Sequence, residues 1–414
     1  MRIPLRRGLA AALAAATAGA AVIATTALTS GAAQAGSDDS FYLPPSPLPA
    51  GANGDVIRHE PSEFYLDPAK TIRAPASAQR IMYLSTDTHG DPMAVTGTLL
   101  TPDSSWFGIG PRPIVGFAVG TQGMGDQCAP SKRLAAGSEY EGTFIAGLLE
   151  RGYGVAVTDY QGLGTPGNHT YVNRAAEANA VLDSIRAAQR LPEANLPDAG
   201  PVLTAGYSQG GGASAAAAEL EPSYAPELKL LGSYSGAPPA DKAVVGEHLD
   251  GSHAAGLLGY ASIGLDAAYP ELGIPELLNE KGQQFWAEVE QECVEETLVK
   301  HAFKQSKDLT KDGRSVSEYL VEEPFASTVL EQKLGKRKPA TPTLVLHSAA
   351  DDIVPYEQGR QMARDWCGLG ANVRFKTLTS ATHVGAVPEA SSTAFMWMEE
   401  RFAGFPQFSN CGTF

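Results

Sequence analysis

The run Val202-Leu203-Thr204-Ala205-Gly206-Tyr207-Ser208-Gln209-Gly210-Gly211-Gly212-Ala213-Ser214 places a serine between glycines where one periodicity gives way to another. Residues 202–205 form a short apolar strand pattern, and residues 215–220, beyond the glycines, are rich in helix formers. Between them Gly206-Tyr207-Ser208-Gln209-Gly210 has the form G-x-S-x-G, a sharp strand-to-helix turn that drives a serine hydroxyl out at the end of a strand. Glycines beside such a turn let neighbouring backbone approach it closely. In a chain with 44 glycines the pentapeptide alone arises by chance on the order of a few tenths of a time, so its weight comes from the strand before it and the helix after it.

Working outward, strand and helix patterns alternate. Residues 80–85 and 94–100 read as a hairpin joined across Thr88-His89-Gly90-Asp91. Residues 113–119, 153–158 and 202–205 are apolar runs of the kind that form strands buried on both faces. Residues 143–149 and 174–191 carry helical spacing, the latter with Ala178, Leu182, Ile185 and Ala188 along one side. Later strands are predicted at 228–234, 343–346 and 372–378. The stretch 238–332 has helical character, notably 283–302, and almost no strand pattern; it reads as a helical cap inserted into the sheet domain. Residues 36–60 read as an irregular arm. With no internal repeat or low-complexity linker, 36–414 is expected to be one α/β domain with a mostly parallel sheet flanked by helices.

A serine hydroxyl holds its proton tightly at neutral pH, so it needs a base within reach and a third group to orient that base. After the strand at 343–346 comes His347-Ser348-Ala349-Ala350-Asp351-Asp352-Ile353-Val354-Pro355, and after the strand at 372–378 comes Ser380-Ala381-Thr382-His383. Nucleophile, acid and histidine thus fall at strand ends in the order used by the α/β-hydrolase fold, which is the fold predicted here. His383 is the expected base. Asp351 and Asp352 are alternatives for the acid, whereas Asp159, at the end of an earlier strand, reads as structural. His347 precedes the acid loop and reads as a packed, hydrogen-bonded residue; the other six histidines carry no motif. For a tetrahedral oxyanion, backbone donors are expected from Gln209 and from Gly120-Thr121-Gln122-Gly123, with Thr121 and Gln122 as candidates; a plain tight turn is the alternative reading of that loop. Acyl transfer on a carboxylic ester is the chemistry implied, and a peptidase of the same fold is the rival. No HExxH, GxxxxGK[ST] or CxxC pattern occurs, so no metal or other cofactor is implied.

Arg2, Arg6 and Arg7, an uncharged Ala-rich run and Ala33-Gln34-Ala35 read as a signal peptide over residues 1–35 and a secreted protein. Its removal leaves 28 basic against 46 acidic residues, a net charge of about −18. Such a surface repels nucleic acid and anionic headgroups. The expected partner is a small-molecule or lipid ester, with at most transient contact at a lipid interface. Oligomeric state is not legible. Cys128, Cys293, Cys367 and Cys411, none in a close pair, suit two disulfides, with three pairings open. Apolar cap residues such as Leu257, Leu258, Tyr260, Phe285 and Trp286 are candidates for an acyl pocket or for cap core.

Four segments carry a family resemblance: Cys128-Ala129-Pro130-Ser131, Gly206-Tyr207-Ser208, Ser223-Tyr224-Ala225-Pro226-Glu227-Leu228 and Asp351-Asp352-Ile353-Val354-Pro355-Tyr356. Together they resemble the secretory lipases of yeasts and actinomycetes, across residues 80–411. The resemblance implies Asp351 as the acid, His383 as the base, and disulfides joining Cys128 to Cys293 and Cys367 to Cys411. It also implies lipase or esterase activity in lipid catabolism. Two departures stand out: Gln122 occupies a position where the yeast relative carries an acid, and the sequence given stops soon after Cys411, short of the yeast C-terminal flap.

Overall fold

The computed structural model describes residues 39–414; the signal peptide read over residues 1–35 lies outside the described residues. Among the described residues nine strands form one sheet: β1 (Val56–Ser62), β2 (Ala76–Thr86), β3 (Pro92–Pro102), β4 (Ile114–Ala118), β5 (Gly154–Thr158), β6 (Val202–Tyr207), β7 (Leu230–Gly236), β8 (Thr343–Ser348) and β9 (Val373–Leu378). Their spatial order is β1-β2-β3-β5-β4-β6-β7-β8-β9. The first three pairings are antiparallel and the other five parallel, so the architecture is that of an α/β-hydrolase. The hairpin of β2 and β3 pairs in unbroken register from Ala76↔Pro102 to Thr86↔Pro92.

Every residue of β4, β5 and β6 is buried, as uninterrupted apolar strands must be when both sheet faces are covered. One face carries the helices Arg174–Arg190, Gln209–Tyr224 and Glu357–Gly368, the last anchored by Trp366 Nε1 donating to Glu219 (2.8 Å). On the other, Phe144 of helix Gly142–Glu150 stacks on Phe395 of helix Val387–Phe402 with ring centres 4.6 Å apart. The chain leaves β4 for β5 on one side and reaches β6 on the other. At such a reversal the carboxyl ends of neighbouring strands border a crevice.

Two sequence expectations need correction. The arm at 36–60 ends in a strand, β1, because Val56–Ser62 pairs along the outer edge of β2; its polar Arg58, His59 and Glu60, typical of an edge, hid the alternation. The helical run at 283–302 is two helices, Glu280–Val289 and Val294–Lys300. Between them the Glu292 carbonyl accepts from Met124 N–H (3.0 Å) and Val294 N–H donates to the Gln122 carbonyl (2.9 Å). Backbone spent on that pairing is unavailable to a helix.

Cys128 and Cys293 are bonded with their Cα atoms 5.5 Å apart, and Cys367 and Cys411 at 5.6 Å. The first disulfide ties the helical segment between β7 and β8 to the loop that follows β4.

Candidate active site

From Val202 to Glu219 only Ser208 escapes full burial. Its backbone sits at φ 60°, ψ −124°, a strained conformation costing about 1–3 kcal/mol that surrounding structure must enforce. Ser208 N–H donates to the Gly236 carbonyl (2.9 Å), and the helix begins at once with Gln209 rather than beyond the glycines. The glycine run therefore lies inside the helix, where a Cβ at Gly210 would meet the Ala118 carbonyl oxygen at 1.9 Å.

His383 lies on the loop after β9, next to Thr382, whose φ of 64° is strained for a β-branched residue. Three contacts fix it. Its Nδ1 is 2.7 Å from Asp351 Oδ2, its backbone N–H donates to Asp352 Oδ1 (2.8 Å), and its carbonyl accepts from the hydroxyl of Tyr207, the neighbour of Ser208 (2.8 Å). With Nδ1 as donor to the carboxylate, Nε2 is left as the acceptor. The acid with its side chain on the imidazole is thus Asp351, and Asp352 holds only the backbone.

Asp351 is itself locked. Its Oδ1 accepts from the N–H groups of Ile353 (3.0 Å) and Val354 (2.8 Å), and His347 Nε2 lies 3.4 Å from Oδ2. Burial works to raise its pKa, but hydrogen bonds from His347 and His383 outweigh burial and hold the carboxyl well below the usual range. His347 is fully buried, with Nε2 2.9 Å from the Val354 carbonyl, and serves the acid loop rather than the serine. Asp159 accepts from Ser131 N–H (2.7 Å) and Thr96 (2.7 Å), tying the end of β5 to helix Pro130–Ala136 and to β3, and pairs with no histidine among the described residues.

The loop after β4 is committed group by group. Gly120 N–H donates to Glu141 (2.6 Å), the Thr121 carbonyl accepts from the Tyr140 hydroxyl (3.1 Å), and the Gln122 carbonyl accepts from Val294 N–H (2.9 Å). The Thr121 hydroxyl pairs with Tyr171 (2.7 Å), and Gln122 Nε2 donates to Glu139 (3.0 Å). Among the described residues no acceptor meets the N–H groups of Thr121, Gln122 or Gln209. Gln209 is fixed through its side chain, whose Nε2 donates to Glu177 (2.6 Å) and lies 2.9 Å from His169 Nε2. Burial lowers the His169 pKa to about 4, so this imidazole is neutral, and burial raises that of Glu177. Glu139, Tyr140, Glu141, His169, Tyr171 and Glu177 carry no motif in the sequence; only the fold brings them here.

Beneath the helices between β7 and β8 lies a cavity of about 70 Å³ lined by Tyr171, Leu258, Leu265, Val316, Leu320 and Val329, among others. Of the five cap residues singled out from the sequence Leu258 alone lines it; Leu257, Tyr260, Phe285 and Trp286 pack together as core. Tyr171 joins this cavity to the loop holding Thr121. Among the described residues no group of His, Cys, Asp and Glu is arranged to hold a metal ion.

A family profile described as "Secretory lipase" matches residues 129–410. "Secreted triacylglycerol lipase LIP1" of Malassezia furfur is 28% identical over 91% of this chain and 78% of its own. "Probable inactive lipase MT1628" of Mycobacterium tuberculosis is 29% identical over 89% of this chain and 83% of its own. The solved closed state of Candida antarctica lipase A superposes with a TM-score of 0.81 at 26% identity, over 91% of this chain and 88% of that one. Sheet order, strand-end loops and sequence agree, and the chain belongs to the secretory lipase family of α/β-fold carboxylic ester hydrolases.

Proposed function

We propose that the protein is a secreted serine lipase or esterase that cleaves carboxylic esters through an acyl-enzyme on Ser208. The single observation carrying this reading is a strained, partly exposed Ser208 whose neighbour Tyr207 is hydrogen-bonded to His383, the histidine whose Nδ1 is bound to the buried Asp351 carboxylate, with N–H groups of Gln209, Thr121 and Gln122 that meet no acceptor among the described residues. In the reaction Ser208 Oγ attacks the ester carbonyl as His383 Nε2 takes its proton, and the amides of Gln209, Thr121 and Gln122 receive the oxyanion. The histidinium then protonates the departing alcohol. Water, activated by the same imidazole, adds to the acyl-enzyme and releases the acid. Asp351 stabilises the imidazolium and fixes its tautomer throughout.

Two disulfides and the family's secretory character support an extracellular site of action. The Mycobacterium relative is named inactive, but this chain carries Ser208 at the strand-to-helix turn and pairs His383 with Asp351, which favours catalysis over a retained scaffold. The apolar cavity suits an acyl chain better than a peptide, since its lining includes one charged side chain, Lys242.

The test is hydrolysis of p-nitrophenyl esters from about two to sixteen carbons, with emulsified triglyceride alongside and Ser208→Ala as control. Turnover that depends on Ser208 is the expected result, and its chain-length profile separates lipase from short-chain esterase. Full ester hydrolysis by Ser208→Ala, or cleavage of aminoacyl amides with none of esters, refutes the reading.

A further inference from the structure

Residues 139–141 meet the loop after β4 in reverse order, one side chain to each residue: Glu139 with Gln122, Tyr140 with Thr121, and Glu141 with Gly120. The fit is close, since a Cβ on Gly120 would lie 2.5 Å from the Tyr140 hydroxyl. Within this ladder two buried atoms, Glu139 Oε2 and Gln122 Oε1, meet no partner among the described residues. They belong to the two residues already joined through Gln122 Nε2 and Glu139 Oε1, which also accepts from Glu141 N–H (3.1 Å). A buried carboxylate oxygen and a buried amide oxygen left bare on one residue pair cost free energy as two lone pairs, and none once a proton lies between them.

We propose that Glu139 is a positioning residue for the oxyanion loop that works as a neutral carboxylic acid, its Oε2–H donating to Gln122 Oε1 to complete a doubly hydrogen-bonded acid–amide pair. This rests on the reading of Thr121 and Gln122 as oxyanion donors. Loss of the proton breaks the second bond, sets two lone pairs against each other and brings a negative charge beside groups that must receive an oxyanion, so ionised Glu139 switches the site off.

The surroundings favour the neutral form. Burial is the largest influence and pushes the Glu139 carboxyl up to about 7. The Glu141 N–H, then Arg133 and the Gln122 amide, pull the other way, but the Arg133 guanidinium is engaged by Glu295, whose own charge pushes Glu139 up. The remaining titratable neighbours are Glu141, itself raised well above the usual range by burial and by Glu139, with Tyr140 and Tyr171.

The experiment compares kcat for a short p-nitrophenyl ester between pH 6 and 9 in the wild type and Glu139→Gln. An amide at 139 keeps both hydrogen bonds and does not titrate. With a carboxyl near 7 and an inactive ionised form, wild-type kcat falls about tenfold from pH 6 to pH 8 with KM little changed, and in Glu139→Gln that fall disappears whatever the height of the plateau. An unchanged alkaline fall in Glu139→Gln, or its absence from the wild type, overturns the inference. Should Glu139→Gln be too unstable to assay, Glu139→Leu, which likewise removes the titrating carboxyl, carries the same expectation for the profile. Ser208→Ala run in parallel separates the two readings: activity there overturns the hydrolase reading, while an inactive Ser208→Ala with an unchanged alkaline limb in Glu139→Gln overturns only this one.

Discussion

Replacing Asp351 by asparagine tests the orientation of the base with little change in shape. In the wild type Oδ1 accepts two backbone N–H groups and Oδ2 accepts His383 Nδ1–H at 2.7 Å. An asparagine must keep its carbonyl oxygen toward the two amides, because turning its NH₂ that way sets donor against donor twice in a buried site. The NH₂ then faces His383, which answers by presenting bare Nδ1 and carrying its proton on Nε2. That tautomer accepts no proton from serine. The expected loss is about 10⁴ in kcat, on the order of 5.5 kcal/mol, as for other Ser-His-Asp sites deprived of the correct tautomer. KM should move little. Asp352→Asn, which meets His383 only through its backbone N–H (2.8 Å) and otherwise faces His253 at the surface (3.6 Å), should cost under about tenfold. Stopped assays on a short p-nitrophenyl ester at pH 7 read both. The reasoning is refuted by Asp351→Asn within tenfold of wild type in a protein of unchanged melting temperature, or by Asp352→Asn as the more damaging change.

Four further outcomes are expected. Gly210→Ala should cost at least about 3 kcal/mol or prevent folding, because its Cβ meets backbone at 1.9 Å, and denaturant titration checks it. Breaking Cys367–Cys411 by double serine substitution should lower stability by about 4 kcal/mol from the loop its 44-residue separation closes, read as a drop in the urea midpoint; Cys128–Cys293, at 165, should cost about 5 kcal/mol. Because burial raises the pKa of Glu177 in the folded state, its contribution to stability is complete below the ordinary glutamate range and is lost as pH rises through the raised value. Melting temperature should therefore fall with rising pH across that window, more steeply in wild type than in Glu177→Gln. Leu258→Trp should fill the cavity and depress kcat/KM for long acyl esters at least about tenfold more than for acetate, measured across the ester series.

The residues joined by short-range chemistry were legible in the sequence. Ser208 declared itself because the elbow needs glycine beside it, Asp351 because it follows the apolar, fully buried strand β8, and His383 because it follows β9, an edge strand of alternating pattern, in the order this fold uses. Strand β1 escaped because an edge strand bearing Arg58, His59 and Glu60 has no apolar face to announce it. The break at Gln291–Cys293 escaped because its cause, pairing with Gln122 and Met124, lies far away in the chain. For the same reason Glu139, Tyr140 and Glu141 were invisible: a glutamate in a polar stretch reads as solvent-exposed surface, and only the packing of that segment under the loop after β4 makes it part of the site. The choice between Asp351 and Asp352 turned on side-chain direction, which adjacent residues of the same type do not encode.

The most direct test of the account is covalent labelling with a p-nitrophenyl alkylphosphonate, followed by peptide mass spectrometry. The account predicts one equivalent of phosphonate per chain, carried by the Ser208 hydroxyl, with ester hydrolysis lost in proportion to labelling. Complete inactivation with the adduct on another residue, or full labelling of Ser208 with activity intact, would contradict it.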